Sequence, residues 1–282
     1  MILNKKQFNS ENAPFIMGIL NVTPDSFSDG GKFYSIELVV AQAKKMLQDG
    51  ADLIDIGGES TRPGALAISS EQELARVLPV IEAIVKKLPQ AVLSIDTYKP
   101  AVADIALSAG CSMVNDIWGL QWAGDKNHDM AAVVAKHNAA ICIMHNRVPA
   151  DGLALEPLTN NAMLNHILNF FDTSITIAQK AGIKNSNIIL DPGIGFGGKS
   201  VRQNLICASV PLEILLKKYP VLIGLSNKSF IGEVLEKPVE YRQNGTLAAN
   251  TLAIKGGATF IRVHDVAAHN DAIKIYKAMC GG

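Results

Sequence analysis

The chain has 282 residues, of which 48% are hydrophobic and 18% are charged, and its formal net charge at pH 7 is zero. This composition excludes a disordered chain and supports a substantial core. The balanced charge gives no support to a nucleic-acid partner or to binding at an anionic membrane.

Eight short apolar runs, rich in β-branched residues, recur along the chain, and each run ends on polar residues. Their hydrophobicity is continuous rather than alternating, which is typical of strands buried on both faces. The pattern predicts strands that begin near residues 15, 51, 91, 112, 140, 187, 221 and 259.

Helix signals separate these runs. One segment opens with a capping box from Ser70 to Glu73, which predicts a helix start there. Another has Pro100 at the first helical position and Gly110 just past the end, the expected placement of these residues. Residues 160–182 and 244–257 are also predicted to be helices that end at glycine.

Strand and helix alternate over the whole length, and no linker divides the chain, so we expect one domain over residues 1–282. Eight such units predict an α/β fold, the (β/α)8 TIM barrel, with functional residues at the C-terminal ends of the strands. An open, doubly wound parallel sheet is the alternative.

A glycine-rich stretch after the sixth run matches two nucleotide-binding patterns. Gly193, Gly198, Lys199 and Ser200 fit the P-loop, and Gly193, Gly195 and Gly198 fit the dinucleotide fingerprint. Five predicted strands precede this stretch, whereas nucleotide folds usually have such a loop after the first strand. We therefore interpret it as a flexible loop and not as a nucleotide site.

Two carboxylates and an amide end different predicted strands. Asp96 and Asp191 could accept hydrogen bonds from an amidine-like ligand edge, and Asn115 offers both a donor and an acceptor. The alternative is that either aspartate caps the following helix. Asp116 is expected to cap.

Cationic groups end the last two runs. Lys228, Arg262 and His264 would form a local anion site, as the corresponding loops do in many barrels. The alternative is a solvated basic rim that pairs with Asp265 or Glu233. Residues 21–31 and 57–64 have the composition of mobile lids, although either could be a plain surface loop. His145 is expected to be structural.

Cys111, Cys142, Cys207 and Cys280 have no metal-ligand spacing. The N-terminus lacks the apolar region of a signal peptide, and no stretch approaches the length of a membrane span. We expect a cytoplasmic protein.

Four long motifs occur in order between Met17 and about Val266, namely Asn21 to Gly30, Gly57 to Gly64, Asp191 to Phe196, and Arg262 to Asp265. On these motifs the chain resembles the dihydropteroate synthase family. The resemblance implies condensation of 6-hydroxymethyl-dihydropterin pyrophosphate with p-aminobenzoate by a dissociative mechanism, Mg2+ as a cofactor, and a homodimer.

The resemblance also implies site residues. The pterin site would comprise Asp96, Asn115, Asp191 and Lys228, and the catalytic residues would be Asp96, Asp191 and Lys228. The pyrophosphate site would comprise Asn21, Arg62, Arg262 and His264, with Asn21 near the metal. The p-aminobenzoate site would comprise Phe27, Thr61, Arg62, Pro63, Phe196 and Ser229.

The chain departs from the family pattern at two positions that bear on these roles. Asn227 replaces the arginine that usually precedes Lys228, and Gly197-Gly198 adds one residue before Lys199. The alternatives are a pterin-binding methyltetrahydrofolate methyltransferase, against which the first two motifs argue, and a pterin-binding paralogue with little synthase activity.

Overall fold

A computed structural model describes residues 1–22, 36–60, 66–147 and 157–280. A short antiparallel hairpin comes first, with strands β1 (Ile2–Leu3) and β2 (Lys6–Gln7). The remaining strands of the described ranges are β3 (Phe15–Asn21), β4 (Leu53–Gly57), β5 (Leu93–Asp96), β6 (Met113–Asp116), β7 (Ala140–Met144), β8 (Ile188–Asp191), β9 (Leu222–Ile223) and β10 (Phe260–Val263).

These eight strands are parallel and form one sheet in the order β8-β7-β6-β5-β4-β3-β10-β9. A parallel bridge between Leu190 and Val221 joins the two ends of the sheet. The sheet therefore closes into a barrel, and the predicted (β/α)8 fold is confirmed. Each strand begins within two residues of its expected start.

Helices surround the barrel and connect its strands. They are α1 (Ile36–Gln48), α2 (Ser70–Lys87), α3 (Pro100–Ser108), α4 (Asp129–Lys136), α5 (Asn160–Lys180), α6 (Val201–Ala208), α7 (Leu212–Leu215), α8 (Ser229–Leu235), α9 (Gln243–Lys255) and α10 (Val266–Cys280). No helix of the described ranges is long and apolar enough to cross a membrane.

The helix-end predictions hold with one correction. Pro100 is the first residue of α3, and Gly110 follows its end with a φ of +121°. The capping box of α2, however, joins Ser69 and Gln72, one residue earlier than expected. Glu73 is not available to cap because its carboxylate is buried against Lys99.

Two apolar clusters fill the fold. The larger one lies between the sheet and the helices, and the smaller one fills the barrel interior. Phe8, Phe15 and Phe260 close the N-terminal end of the interior, with ring centroids 4.8 to 5.8 Å apart. Because this end is filled by aromatic rings, the charged groups of the interior lie toward the C-terminal ends of the strands.

Candidate active site

Strand alternation determines which polar side chains face the barrel interior. Met113 and Ile189 belong to the interior cluster, and Asn115 and Asp191 lie two residues further along the same strands. Since side chains of a strand alternate between its faces, Asn115 and Asp191 point inward as well. Both are buried.

Arg262 joins two carboxylates inside the barrel. Its Nε donates to Asp55 Oδ2 at 2.7 Å, and its Nη2 donates to Asp96 Oδ2 at 2.6 Å. Asn115 Nδ2 also donates to Asp55 Oδ2, at 2.9 Å. The basic-rim alternative, in which Arg262 pairs with Asp265 or Glu233, does not describe this arrangement.

Each of these two carboxylates keeps one oxygen for a further donor. In the described part of the chain, Asp55 Oδ1 and Asp96 Oδ1 are buried without a hydrogen-bond partner. Burial raises the pKa of Asp96 to about 7, although the charge of Arg262 opposes this shift. One guanidinium shared by two buried carboxylates leaves Asp96 incompletely neutralised, so a donor-rich ligand edge would stabilise it.

Asp191 and Lys228 form the opposite side of the pocket. Asp191 Oδ1 accepts a hydrogen bond from Gly193 N at 2.7 Å, and burial raises its pKa to about 6. Burial likewise lowers the pKa of Lys228 to about 8, with the nearby charge of Arg262 acting in the same direction. The Lys228 ammonium lies 4.2 Å from the centroid of the Phe196 ring, in cation–π contact.

Asn21 lies at the same level of the barrel as Asp96. The strand register aligns Asn21 with Gly57, and Gly57 with Asp96. A Cβ built on Gly57 would lie 3.5 Å from Asn21 Oδ1 and 3.7 Å from Asp96 Oδ2. The missing side chain therefore leaves space between these two oxygen-bearing groups.

His264 lies at the rim just after β10. Its Nδ1 is 2.9 Å from the hydroxyl of Ser226, which fixes the orientation of the imidazole. Ser229 is exposed at the first position of α8, next to Lys228. Four of the predicted site residues lie outside the described ranges, namely Phe27, Thr61, Arg62 and Pro63.

Asp116 and His145 both have structural partners, but Asp116 caps a turn and not the helix expected, since α4 begins at Asp129 after the N-cap residue His128. The carboxylate of Asp116 accepts hydrogen bonds from Trp118 N at 2.8 Å and from Leu120 N at 2.7 Å. His145 is fully buried, and its ring lies 3.0 Å from His166 Nδ1. Neither side chain is part of the pocket.

The glycine-rich loop after β8 lacks the features of a phosphate-binding loop. Ser200 and Gln203 form a capping box at the start of α6, so two amides that could bind phosphate are already satisfied. Lys199 donates to carbonyls of the loop itself. The loop is thus hydrogen-bonded at several points, unlike the flexible loop expected from the sequence.

Asp55 was not among the predicted site residues, although it orients Arg262 and Asn115. A usable signal is present in the sequence, since Asp55 is the single charged residue of β4 and lies two residues before Gly57, on the same strand face. A second missed group lies beside the pocket, where Lys99 binds the carboxylates of Glu59 and Glu73.

Comparison with known proteins identifies the family. A sequence model of the family described as pterin binding enzyme matches residues 17–264. A dihydropteroate synthase of Clostridium beijerinckii is 47% identical over 276 residues, covering 98% of this chain and 97% of the relative. The dihydropteroate synthase of Bacillus subtilis is 50% identical over 255 residues, covering 89% of this chain and 83% of the relative.

Solved structures agree with these relatives. A dihydropteroate synthase of Clostridium difficile, determined in the presence of pteroic acid, is 44% identical with a TM-score of 0.87 and covers 97% of this chain and 99% of that chain. The Xanthomonas albilineans enzyme in complex with 7,8-dihydropteroate is 38% identical with a TM-score of 0.83, covering 96% and 95%. The chain therefore belongs to the pterin-binding enzyme family and, within it, to the dihydropteroate synthases, which are transferases.

Proposed function

We propose that this chain condenses 6-hydroxymethyl-7,8-dihydropterin pyrophosphate with p-aminobenzoate to give 7,8-dihydropteroate and pyrophosphate. The observation that carries this proposal is the buried, unpartnered Asp96 Oδ1, found among the described residues. A buried carboxylate oxygen without a donor is costly. A ligand with several N–H groups on one edge, such as a pterin, would satisfy it.

The ligands of similar proteins support the same substrates. Related structures were determined in the presence of pteroic acid and in complex with 7,8-dihydropteroate. Another Xanthomonas albilineans structure, 40% identical to this chain, was determined with 4-aminobenzoic acid. Of these molecules, 4-aminobenzoic acid is a substrate of the proposed condensation and 7,8-dihydropteroate is its product, which pteroic acid resembles.

The pterin would lie between Asp96, Asn115, Asp191 and Lys228. Asp96 and Asp191 would accept hydrogen bonds from the N–H groups of the pterin edge. Asn115 would contribute an amide that can both donate and accept a hydrogen bond. Lys228 would donate to a pterin acceptor and balance the charge of Asp191. Its lowered pKa is consistent with a site that excludes water around the heterocycle.

The pyrophosphate would bind at the rim through Asn21, Arg62, Arg262 and His264. Arg262 is engaged by Asp55 and Asp96 in this structure, so it would link the pterin pocket with the leaving group. A leaving diphosphate needs charge stabilisation that grows as the C–O bond breaks. Cationic groups oriented before the reaction supply it without reorganisation.

The residues present fit a magnesium ion carried by the substrate. Mg2+ is usually held by one or two protein oxygen ligands together with substrate phosphates. The Asn21 amide oxygen would be such a ligand, and in the described ranges no group of three His, Cys, Asp or Glu residues could hold a metal. When bound, Mg2+ would neutralise charge on the diphosphate.

We propose a dissociative reaction, in which the pyrophosphate leaves before the arylamine attacks. Asp96 and Asp191 would stabilise the pterin cation through their negative charge, and no nucleophilic side chain is needed. The p-aminobenzoate would be bound by Phe196 and Ser229, with Phe27, Thr61, Arg62 and Pro63 from the two loops. Closure of those loops would exclude water from the cation.

The deciding experiment measures pyrophosphate release from the pterin substrate with Mg2+, with and without p-aminobenzoate. The proposal predicts arylamine-dependent formation of dihydropteroate. Tight pterin binding without this product would refute the synthase and favour a pterin-binding paralogue. Transfer of a methyl group from methyltetrahydrofolate would favour the methyltransferase alternative instead.

We also propose a cytoplasmic homodimer. All four cysteines are unpaired thiols, consistent with a reducing compartment. Ile275 and Met279 are large, exposed and four residues apart, so they lie on one face of α10, where a second copy could cover them. Light scattering at micromolar concentration tests the dimer, and a single-chain mass would contradict it.

A further inference from the structure

Lys199 is a partly buried cation that the substrate assignments above do not use. Its Nζ donates to Gly193 O at 2.9 Å and to Phe196 O at 3.1 Å, and lies 2.9 Å from His145 Nδ1. An ammonium group carries three N–H donors and no acceptor. These three neighbours therefore use every donor of the side chain.

The third neighbour is itself held in place. Since Lys199 can only donate, His145 Nδ1 accepts, and the proton of the neutral ring is on Nε2. That nitrogen lies 3.0 Å from His166 Nδ1. Burial lowers the pKa of His145 to about 2, which keeps the ring neutral. A directed chain of hydrogen bonds thus runs from Lys199 through His145 to His166.

The carbonyls bound by Lys199 belong to the turn that positions two site residues. Gly193 N donates a hydrogen bond to the carboxylate of Asp191, and Phe196 N donates to Gly193 O at 3.1 Å. The ring of Phe196 then lies beneath the Lys228 ammonium. Displacement of the turn would move this ring before it moved the strand-borne Asp191.

The conformation of Gly197 and Gly198 explains how Lys199 reaches the turn. Gly197 and Gly198 both have a φ of +68°, a left-handed conformation that glycine adopts without strain. Two consecutive residues of this kind reverse the chain. The Lys199 side chain is thereby directed back toward the turn and not outward as in a phosphate-binding loop.

We propose that Lys199 is a positioning residue for p-aminobenzoate capture, which acts by holding Phe196 against Lys228. The inference rests on the proposed function, because Phe196 is assigned to the arylamine site there. It separates the two substrates: loss of Lys199 should impair p-aminobenzoate binding much more than pterin binding.

The test is a double-mutant cycle between Lys199→Met and Phe196→Ala, read as the KM for p-aminobenzoate and the Kd for 6-hydroxymethylpterin. We expect Lys199→Met to raise the KM at least tenfold and to change the pterin Kd less than threefold. In the Phe196→Ala background the same substitution should leave the KM nearly unchanged, because the ring it positions is gone. Lys184→Met, at an exposed lysine, is the matched control.

Three results would overturn the inference: an unchanged KM, an equal loss of pterin affinity, or the same increase in KM in both backgrounds. If Lys199→Met does not fold, Lys199→Gln carries the same cycle, since its amide keeps donors for part of the network. The activity of the wild type distinguishes failure of the Lys199 inference from failure of the proposed function. A wild-type chain without arylamine-dependent product refutes the synthase, whereas an active one with an additive cycle refutes only the role of Lys199.

Discussion

Asp191→Asn tests the pterin pocket because the structure determines how the new amide would be oriented. Gly193 N donates to Asp191 Oδ1 at 2.7 Å. In the variant, the amide oxygen must remain there to accept this hydrogen bond. The NH2 group therefore takes the position of Oδ2, and it meets the N–H groups of the proposed pterin edge with another donor.

The size of the effect follows from the hydrogen bonds that change. A hydrogen bond to a charged group contributes about 1.5–3 kcal/mol, and a donor left facing a donor adds a desolvation cost of about 1–3 kcal/mol. We expect a total loss of about 2.5–6 kcal/mol, which corresponds to a Kd roughly 70- to 25,000-fold weaker. Burial raises the pKa of Asp191 to about 6, so the wild-type carboxylate is ionised at pH 8.

Titration calorimetry with 6-hydroxymethylpterin at pH 8 measures this difference directly. The control is Asp271→Asn, at an exposed aspartate whose only described ion pair is with Lys274 on the surface, and which should bind like the wild type. At pH 5 the wild-type carboxyl group is largely protonated, so the difference between Asp191→Asn and wild type should become smaller. A folded variant that binds within threefold of wild type at pH 8 would remove Asp191 from the pocket.

Three further substitutions test other parts of the structure. The folded-state pKa of Asp96, about 7, exceeds the ordinary value of 3.8, so folding takes up a proton between these pH values and this carboxyl group makes stability fall as the pH rises. In urea denaturation, the unfolding free energy of the wild type should decline relative to that of Asp96→Asn from pH 4.5 to 8, and parallel curves would contradict the shift. Gly193→Ala should melt at a clearly lower temperature, because its Cβ would lie 1.9 Å from His145 O at a φ of +67°; wild-type melting would show that the turn is misplaced. Asn227→Arg introduces the arginine that the family resemblance implies at this position. It should cost about 1 kcal/mol of stability, because residue 227 has a φ of 59° that favours asparagine, and calorimetry should find pterin affinity unchanged.

The barrel strands were predictable because burial on both faces leaves a continuous apolar run. Helix ends were predictable where a residue type strongly favours one end of a helix, as Pro100 favours the first position and Gly110 the position just past the end. The start of α2 shows the limit of such signals. Ser69 with Gln72 and Ser70 with Glu73 are equally good capping boxes by pattern, and the choice depends on Lys99, which withdraws Glu73 into a buried ion pair.

The sequence indicated which polar groups end strands but not how they pair across the barrel. Asp96 and Arg262 are 166 positions apart, and their hydrogen bond depends on strand order and register. The resemblance assigned Arg262 to pyrophosphate and Asp96 to pterin. In the structure the two share one hydrogen-bonded group with Asp55, so a change at either end is expected to act on both proposed subsites.

The glycine-rich loop shows why a short motif does not determine its own chemistry. A phosphate loop works when its amides and its lysine are free to face a ligand. Here the same residue types form their hydrogen bonds within the protein. Ser200 and Gln203 bind each other's backbone amides, and the Lys199 ammonium donates to three acceptors. The pattern records which groups are available, whereas the tertiary contacts decide whether a ligand or the protein itself binds them. In this chain those contacts convert a phosphate-loop sequence into the support for Phe196.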